Sequence, residues 1–311
     1  MLDAISKAVF HSLAGNQIIE KLASRYGMAG PTSFGRRFIA GETLDEALAA
    51  ARAVQSAGMT STVDQLGESV TTIAAADAAT RVYLEMVAAI VSSGVERNIS
   101  VKLSQLGLDI DRATCTDNVR RILEAAGPHG FFVRIDMEAS QTVPMTLEIV
   151  DTLWEYGYRQ VGVVLQSALH RSEEDAGRLS AKGIRIRLVK GAYKEPKSVA
   201  YQRKADVDAA YLRIMEYLLH EGTYPAVATH DLKLIDAAKR MAAESSLPRD
   251  RFEFQMLYGI RRDLQAALAA ERYRVRLYVP FGRQWFPYFM RRLGERPANV
   301  GFVLRALIQD R

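Results

Sequence analysis

The sequence has one cysteine, Cys115, in 311 residues. A single thiol cannot form an intrachain disulfide or a cysteine-based metal site, which fits a reducing compartment. Five histidines (His11, His129, His170, His220 and His230) are scattered without zinc-ligand spacing. No apolar run approaches the ~20 residues needed to span a bilayer. The N-terminus has Asp3 and Lys7 around no apolar segment, so no secretory signal is expected. The usual nucleotide signatures of open α/β sheets are also missing: there is no GxGxxG after a strand-like run and no GxxxxGKS/T loop. Internal repeats, low-complexity tracts and linkers are likewise absent.

The composition is that of an ordinary globular chain, 49% hydrophobic and 25% charged. Lysine and arginine outnumber aspartate and glutamate, 41 to 36, for a net charge of +5 and a pI of about 9.2. This balance favours anionic partners. The basic residues are interspersed with acids rather than massed in a tail, so nucleic acid is not an expected partner. The expected location is the cytoplasm, with peripheral contact at the inner face of the cell membrane.

Residues 1–58 read as a helical arm. Ile5, Val9, Phe10 and Leu13, then Ile18, Ile19 and Leu22, have helical spacing, and Gly30-Pro31 breaks the run. Thr43 and Glu46 form a capping box for a helix through Ala57, with Gly58 as its stop. From residue 59 the pattern changes. Short β-branched or apolar runs at 60–66, 99–103, 131–137, 160–165, 184–189, 226–229, 252–256 and 275–279 alternate with helical stretches. Eight strand–helix units in roughly 250 residues predict an α/β fold over 59–311, a distorted (βα)₈ barrel, rather than an open sheet.

Such a barrel places its site at the C-terminal ends of the strands. Polar residues fall there in every unit: Asp64 and Glu68, Lys102, then Arg134, Asp136 and Glu138. Gln166, Arg187 with Lys190, Thr229 with His230, Glu253 with Gln255, and Tyr278 complete the set. A structural ion pair explains any one of them, but a shared polar site explains all eight ends at once. Lys102 is expected to pair with Asp136 across neighbouring strands. After the last strand, Tyr288, Arg291, Arg292 and Glu295 share one face of a helix beside the apolar Phe286, Phe289, Met290 and Leu293. Two adjacent guanidiniums make either a solvated basic face or a clamp for a small carboxylate. Strands 1 and 8 are neighbours in a closed barrel, so Glu68 is expected to reach Arg291.

Several of these segments together resemble the proline dehydrogenase family, in its monofunctional bacterial form: Asp64-Gln-Leu-Gly-Glu68, Lys102-Leu-Ser, Arg134-Ile-Asp136, Arg187-Leu-Val-Lys-Gly-Ala-Tyr193, Thr229-His-Asp231, Phe252-Glu-Phe-Gln-Met-Leu-Tyr-Gly259, and Tyr278-Val-Pro-Phe-Gly282 with Tyr288 through Asn299. The resemblance covers about residues 60–305 and not the first 58. It implies non-covalent FAD and oxidation of L-proline to Δ1-pyrroline-5-carboxylate, with hydride passing to flavin N5 and a membrane quinone reoxidising the flavin. It also implies site roles. Arg291 and Arg292 clamp the proline carboxylate, assisted by Lys102, while Tyr278, Tyr288 and Leu257 wall the ring with Tyr193 nearby. Glu68 closes over substrate, Asp136 orients Lys102, and Glu295 supports the arginine face. Arg187 lies near flavin N5, Gln166, Lys190 and Gly191 hold the isoalloxazine or ribityl-phosphate chain, and Thr229 and His230 meet the adenine side. No general base and no metal are expected, and self-association is left open.

Two other readings compete. Lys102 or Lys190 could form a Schiff base in a barrel lyase acting on a small anion. A basic barrel could also bind a membrane or partner through its first 58 residues without any catalysis.

Overall fold

The structure is a computed structural model that describes Met28 and residues 33–295, and of Phe34 and residues 291–295 the backbone only. Eight parallel strands close into a barrel in sequence order. They are β1 Thr60–Gln65, β2 Asn98–Val101, β3 Phe132–Ile135, β4 Val161–Gln166, β5 Ile186–Val189, β6 Ala226–Ala228, β7 Glu253–Leu257 and β8 Val275–Phe281. β1 pairs with β8 from Thr60↔Arg276 to Gln65↔Phe281, which closes the cylinder. Every run expected to be a strand is one, with ends displaced by a few residues. Helix α1, Leu44–Ser56, precedes β1. One helix then follows each strand: α2 Ile73–Ser93, α3 Arg112–Ala126, α4 Val143–Glu155, α5 Ser172–Ala181, α6 Lys204–Glu221, α7 Leu232–Glu244, α8 Arg262–Ala270 and α9 Trp285–Glu295.

The strands alternate, as the pleat requires. Val63, Ile99, Val101, Val133, Ile135 and Leu188 belong to the main apolar core. Their neighbours in sequence, Asp64, Ser100, Arg134 and Arg187, are buried too but polar. The apolar set packs under the helices, where each fully buried Val, Ile or Leu contributes about 1.5–3 kcal/mol. The polar set therefore faces the lumen. Parallel strands buried on both faces usually read as unbroken apolar runs, so this alternation already marks a barrel with a polar interior.

The segment before β1 is tied to the barrel. Ala47, Leu48, Ala51 and Val54 of α1 join the main core. Ala40 donates its N–H to the Pro280 carbonyl at 2.9 Å, and Gly282 donates to the Gly41 carbonyl at 3.0 Å. Gly259, just after β7, has φ +74°, and a Cβ there would lie 1.6 Å from the Arg37 carbonyl oxygen. Only glycine allows that approach. A second apolar cluster of Phe38, Ile39, Leu66, Ile260, Trp285 and Phe289 then joins this segment to α9 over the C-terminal mouth. Of the helical arm read over residues 1–58, residues 1–27 and 29–32 lie outside the described residues.

The Thr43–Glu46 capping box forms as expected. Burial opposes the charged form of Glu46. Arg36 at 2.7 Å and the N–H groups of Glu42 and Thr43 outweigh it and hold the carboxyl down at about 2, against an ordinary 4.5. Its contribution is complete above pH 4.5 and is lost as pH falls from there towards 2. Glu46→Gln should therefore lower stability by about 1 kcal/mol at pH 7, measured by urea unfolding. The gap from wild type should close as pH drops through that window, and a gap of constant size would refute the assignment.

Candidate active site

The upper lumen holds a closed network of charges. Lys102, directly after β2, places Nζ 2.9 and 3.1 Å from the two oxygens of Asp64 on β1. The same ammonium donates to the Tyr278 hydroxyl at 3.1 Å and lies 3.5 Å from Asp136, directly after β3. Tyr278 on β8 donates in turn to Asp136 at 2.7 Å. Arg187 on β5 donates to Asp136 at 2.7 Å, to Ser100 on β2 at 3.2 Å and to Gln255 on β7 at 2.5 Å. These contacts join β5 to β2 and β8 to β3, strands that are not neighbours, so the side chains meet across the lumen. Both cations also sit near the Tyr278 ring, Lys102 at 5.9 Å and Arg187 at 5.4 Å from its centroid.

Titration follows from this packing. Burial, reinforced by Asp136, pushes the Asp64 carboxyl up to about 6 against the pull of Lys102. For Asp136 burial also works upward, but Arg187 and Lys102 prevail and hold it below the ordinary value. Burial works to lower Lys102, yet Asp64, Tyr278 and Asp136 keep it well above the usual lysine value. Tyr278 is pushed well above its ordinary value by burial and by the two aspartates. Lys102 is thus an ammonium and Tyr278 a neutral phenol that donates. The expected Lys102–Asp136 pair exists, but Asp64 is the nearer partner. Strand order made Asp64 an equal candidate from the start.

The loops above this network are stitched together. Glu138, after β3, accepts from the Ser104 N–H at 3.0 Å and its hydroxyl at 2.5 Å, and Ser104 Oγ accepts from the Ser69 N–H at 3.0 Å. Burial raises the Glu138 carboxyl. Gln166 on β4 donates to the Glu138 carbonyl at 2.8 Å. A Cβ on Gly67 would fall 2.5 Å from Gln105 and 3.2 Å from Gln284, so the loop after β1 lies against the turn into α9. Ser104 was legible only as part of the Lys102-Leu-Ser run, with nothing in the pattern to reveal its partner.

The next three strand ends form a separate strip. Lys190 pairs with Asp208 at 2.6 Å and Asp231 at 2.8 Å. Gly191 has φ +111°, and a Cβ there would meet the Gln166 side chain at 3.0 Å. Thr229 accepts from the Asp231 N–H at 3.1 Å. His230 Nε2 accepts the Leu257 N–H at 2.9 Å, so that nitrogen carries no proton and the ends of β6 and β7 are joined. Tyr193 is exposed, while Tyr288 is buried over the mouth. Leu257 and Tyr278 pack against the cluster that contains Tyr288. Glu68 is half-buried in the loop after β1. Arg291, Arg292 and Glu295 are carried by α9, but their side chains, and the expected Glu68–Arg291 contact, lie outside the described residues.

Two residues expected at this mouth belong elsewhere. Glu253 opens β7 and accepts from Arg276 at 2.9 Å, and Arg276 also meets Glu96 at 2.7 Å. Arg134 donates to the carbonyls of Val163 at 3.0 Å and Arg185 at 2.5 Å. Both face the N-terminal end of the lumen. Glu253 and Gln255 share the inner face of β7, but two residues along a strand shift the side chain by about 6.6 Å, and that separates the layers.

The proline dehydrogenase family model matches residues 47–305. The chain belongs to the proline dehydrogenase family. It is 40% identical to a proline dehydrogenase of Deinococcus radiodurans, over 99% of this chain and 100% of that one. It is 38% identical to proline dehydrogenase 2 of Bacillus subtilis strain 168, over 97% and 99%. Among solved structures it resembles proline utilization A from Bdellovibrio bacteriovorus inactivated by N-propargylglycine, with a TM-score of 0.79 and 28% identity over 84% of this chain and 32% of that one. Proline oxidation is its reaction, and the family implies a flavin. At Lys102 the competing Schiff-base reading also lacks its nucleophile, because the neighbouring carboxylates favour the ammonium over the neutral amine. Among the described residues, no cluster of His, Cys, Asp or Glu suits a metal and no helix is long and apolar enough to cross a membrane.

Removing one partner of a buried pair leaves an uncompensated charge, at a cost of about 3–5 kcal/mol. Asp64→Asn should therefore lower the melting temperature clearly and raise KM for proline as Lys102 shifts towards Asp136. Melting curves and steady-state kinetics test this. A variant with wild-type melting and KM would remove Asp64 from the network's essential members.

Proposed function

We propose that this proline dehydrogenase oxidises L-proline to Δ1-pyrroline-5-carboxylate at the C-terminal mouth of its barrel, using non-covalent FAD. The observation that carries this reading is the balanced network of Asp64, Lys102, Asp136 and Arg187 around Tyr278. When bound, FAD would supply the acceptor for a hydride from the ring carbon beside nitrogen, and a membrane quinone would reoxidise it. The donor set fits such a group. Cationic Arg187 and Lys190 and the amide of Gln166 stand on adjacent strand ends, and Gly191 between them leaves room where a Cβ would press on Gln166. In this reading Gln166, Lys190 and Gly191 hold the isoalloxazine or ribityl-phosphate chain, with Thr229 and His230 on the adenine side. Arg187 would lie near flavin N5 and stabilise the negative charge that develops there on reduction.

The remaining residues bind and orient the substrate. Arg291 and Arg292 grip the carboxylate with paired hydrogen bonds, with Lys102 assisting. Glu68 and Glu295 support the guanidiniums. Tyr278, Tyr288, Leu257 and Tyr193 wall the ring and exclude water. Asp136 fixes both Lys102 and the Tyr278 phenol. No general base is assigned, because a neutral amine already in place needs positioning and dehydration rather than a strong base. The enzyme acts in the cytoplasm, with peripheral contact at the inner face of the cell membrane.

Anaerobic addition of L-proline should bleach the flavin spectrum of the purified enzyme, and a preparation that stays oxidised would overturn the reading. Arg291→Met and Arg292→Met should each raise KM for proline by ~10-fold or more, the loss of one charge-assisted contact, while flavin stays bound. Wild-type KM in either variant would remove that residue from the clamp.

A further inference from the structure

The opposite, N-terminal mouth of the barrel holds a second set of cations that proline oxidation does not use. Residues leading into or opening β2, β3, β5, β6 and β8 line an open bowl of about 630 Å³, among them Arg97, Phe132, Arg185, Tyr224, Arg274 and Arg276. The lining contains four guanidiniums and a single carboxylate, Glu96. Arg276 is already compensated by Glu253 at 2.9 Å and Glu96 at 2.7 Å, and it anchors the floor by donating to the Ser61 carbonyl at 2.9 Å. Arg97, Arg185 and Arg274 are exposed, and none of the three forms an ion pair among the described residues. On the flanks, Arg81, Arg112, Arg120, Arg178, Arg203 and Arg213 are each paired with a neighbouring carboxylate.

Arg185 is also oriented. Its guanidinium lies 5.1 Å from the Phe132 ring and 5.2 Å from the Tyr224 ring, and the Phe132 ring is contacted by Arg134 at 4.8 Å as well. Tyr224 takes part with φ +51°, a conformation rare for a bulky residue, and its hydroxyl donates to Glu253 at 3.2 Å. Backbone strain of this kind persists only where the surroundings enforce it. Ring contacts engage the faces of a guanidinium and leave its N–H edge for an anion. Arg185 donates no side-chain hydrogen bond among the described residues. Three guanidiniums, each on the residue leading into a different strand around one bowl, match an anion whose oxygens diverge. A lone carboxylate, with two oxygens in one plane, satisfies one fork only.

We propose that this bowl binds a small, multiply charged phosphate-class anion through Arg97, Arg185 and Arg274, at a site separate from the proline site. Isothermal titration of the flavin-loaded enzyme with inorganic pyrophosphate at low ionic strength tests it. Wild type should bind saturably at one site per chain. Arg185→Gln combined with Arg274→Gln should weaken binding at least ~10-fold, the scale of losing charge-assisted hydrogen bonds, with proline turnover unchanged. Arg274→Gln alone, whose side chain donates no hydrogen bond among the described residues, should weaken binding measurably without a packing defect. Arg120→Gln on the flank should leave affinity as in wild type. The proposal fails if wild type shows no saturable binding, if the Arg274→Gln and double variants bind like wild type, or if Arg120→Gln weakens binding as much as they do.

Discussion

The site depends on four largely buried charges that cancel. Asp64 and Asp136 face Lys102 and Arg187 in the upper lumen, with the Tyr278 phenol between them. None of these ions tolerates isolation in a poorly solvated interior. Each is supplied by or next to a different strand: β1, β2, β3 and β5, with β8 adding the phenol. Closing the barrel in register is therefore the condition for neutralising the charges, and the charges in turn specify that register. A slip of one residue would turn every lumen side chain outward and place four ions against the apolar layer under the helices.

The same logic is repeated lower in the barrel. Arg276 joins Glu253 and Glu96 in a second ion-paired group near the strand N-termini, and the cation Arg134 beside it is anchored on backbone carbonyls. Gln255 sits between the two layers and touches both, accepting from Arg187 at 2.5 Å and donating to Glu253. The lumen is thus a stack of polar layers where a barrel of this class usually packs branched apolar residues. The apolar stability resides almost wholly outside the strands, between sheet and helices. This division leaves the interior free to be polar at both ends.

Much of this was legible in the chain. Eight strands, their order and the mouth that gathers polar residues follow from alternating β-branched and helical stretches. The capping box at Thr43 and Glu46 followed from two residues alone. Side-chain partners were less legible, because strand adjacency leaves a choice. Lys102 on β2 has an acid on each side, Asp64 and Asp136, and only the three-dimensional register shows that Asp64 is nearer. Glu253 and Arg134 were read into the wrong end of the lumen, since composition reports that a strand carries charge but not its height. The pairing of Glu138 with Ser104 depends on loop paths that no periodicity encodes.

Charge balance in the upper lumen also bears on substrate binding. Lys102 and Arg187 already have carboxylate partners, so neither is a free countercharge for an incoming carboxylate. Proline brings one negative group to a network whose sum is near zero. If it were bound by those residues alone, its carboxylate would compete with Asp64 or Asp136 for the same cations and leave an aspartate uncompensated. Binding without that penalty needs cations from outside the strands. Helix α9, which begins four residues after β8 ends at this mouth, carries the adjacent pair Arg291 and Arg292. The proposed division of labour follows: the strands hold a neutral, rigid, hydrogen-bonding floor, and the last helix contributes the charge that makes the site selective for an amino acid's carboxylate.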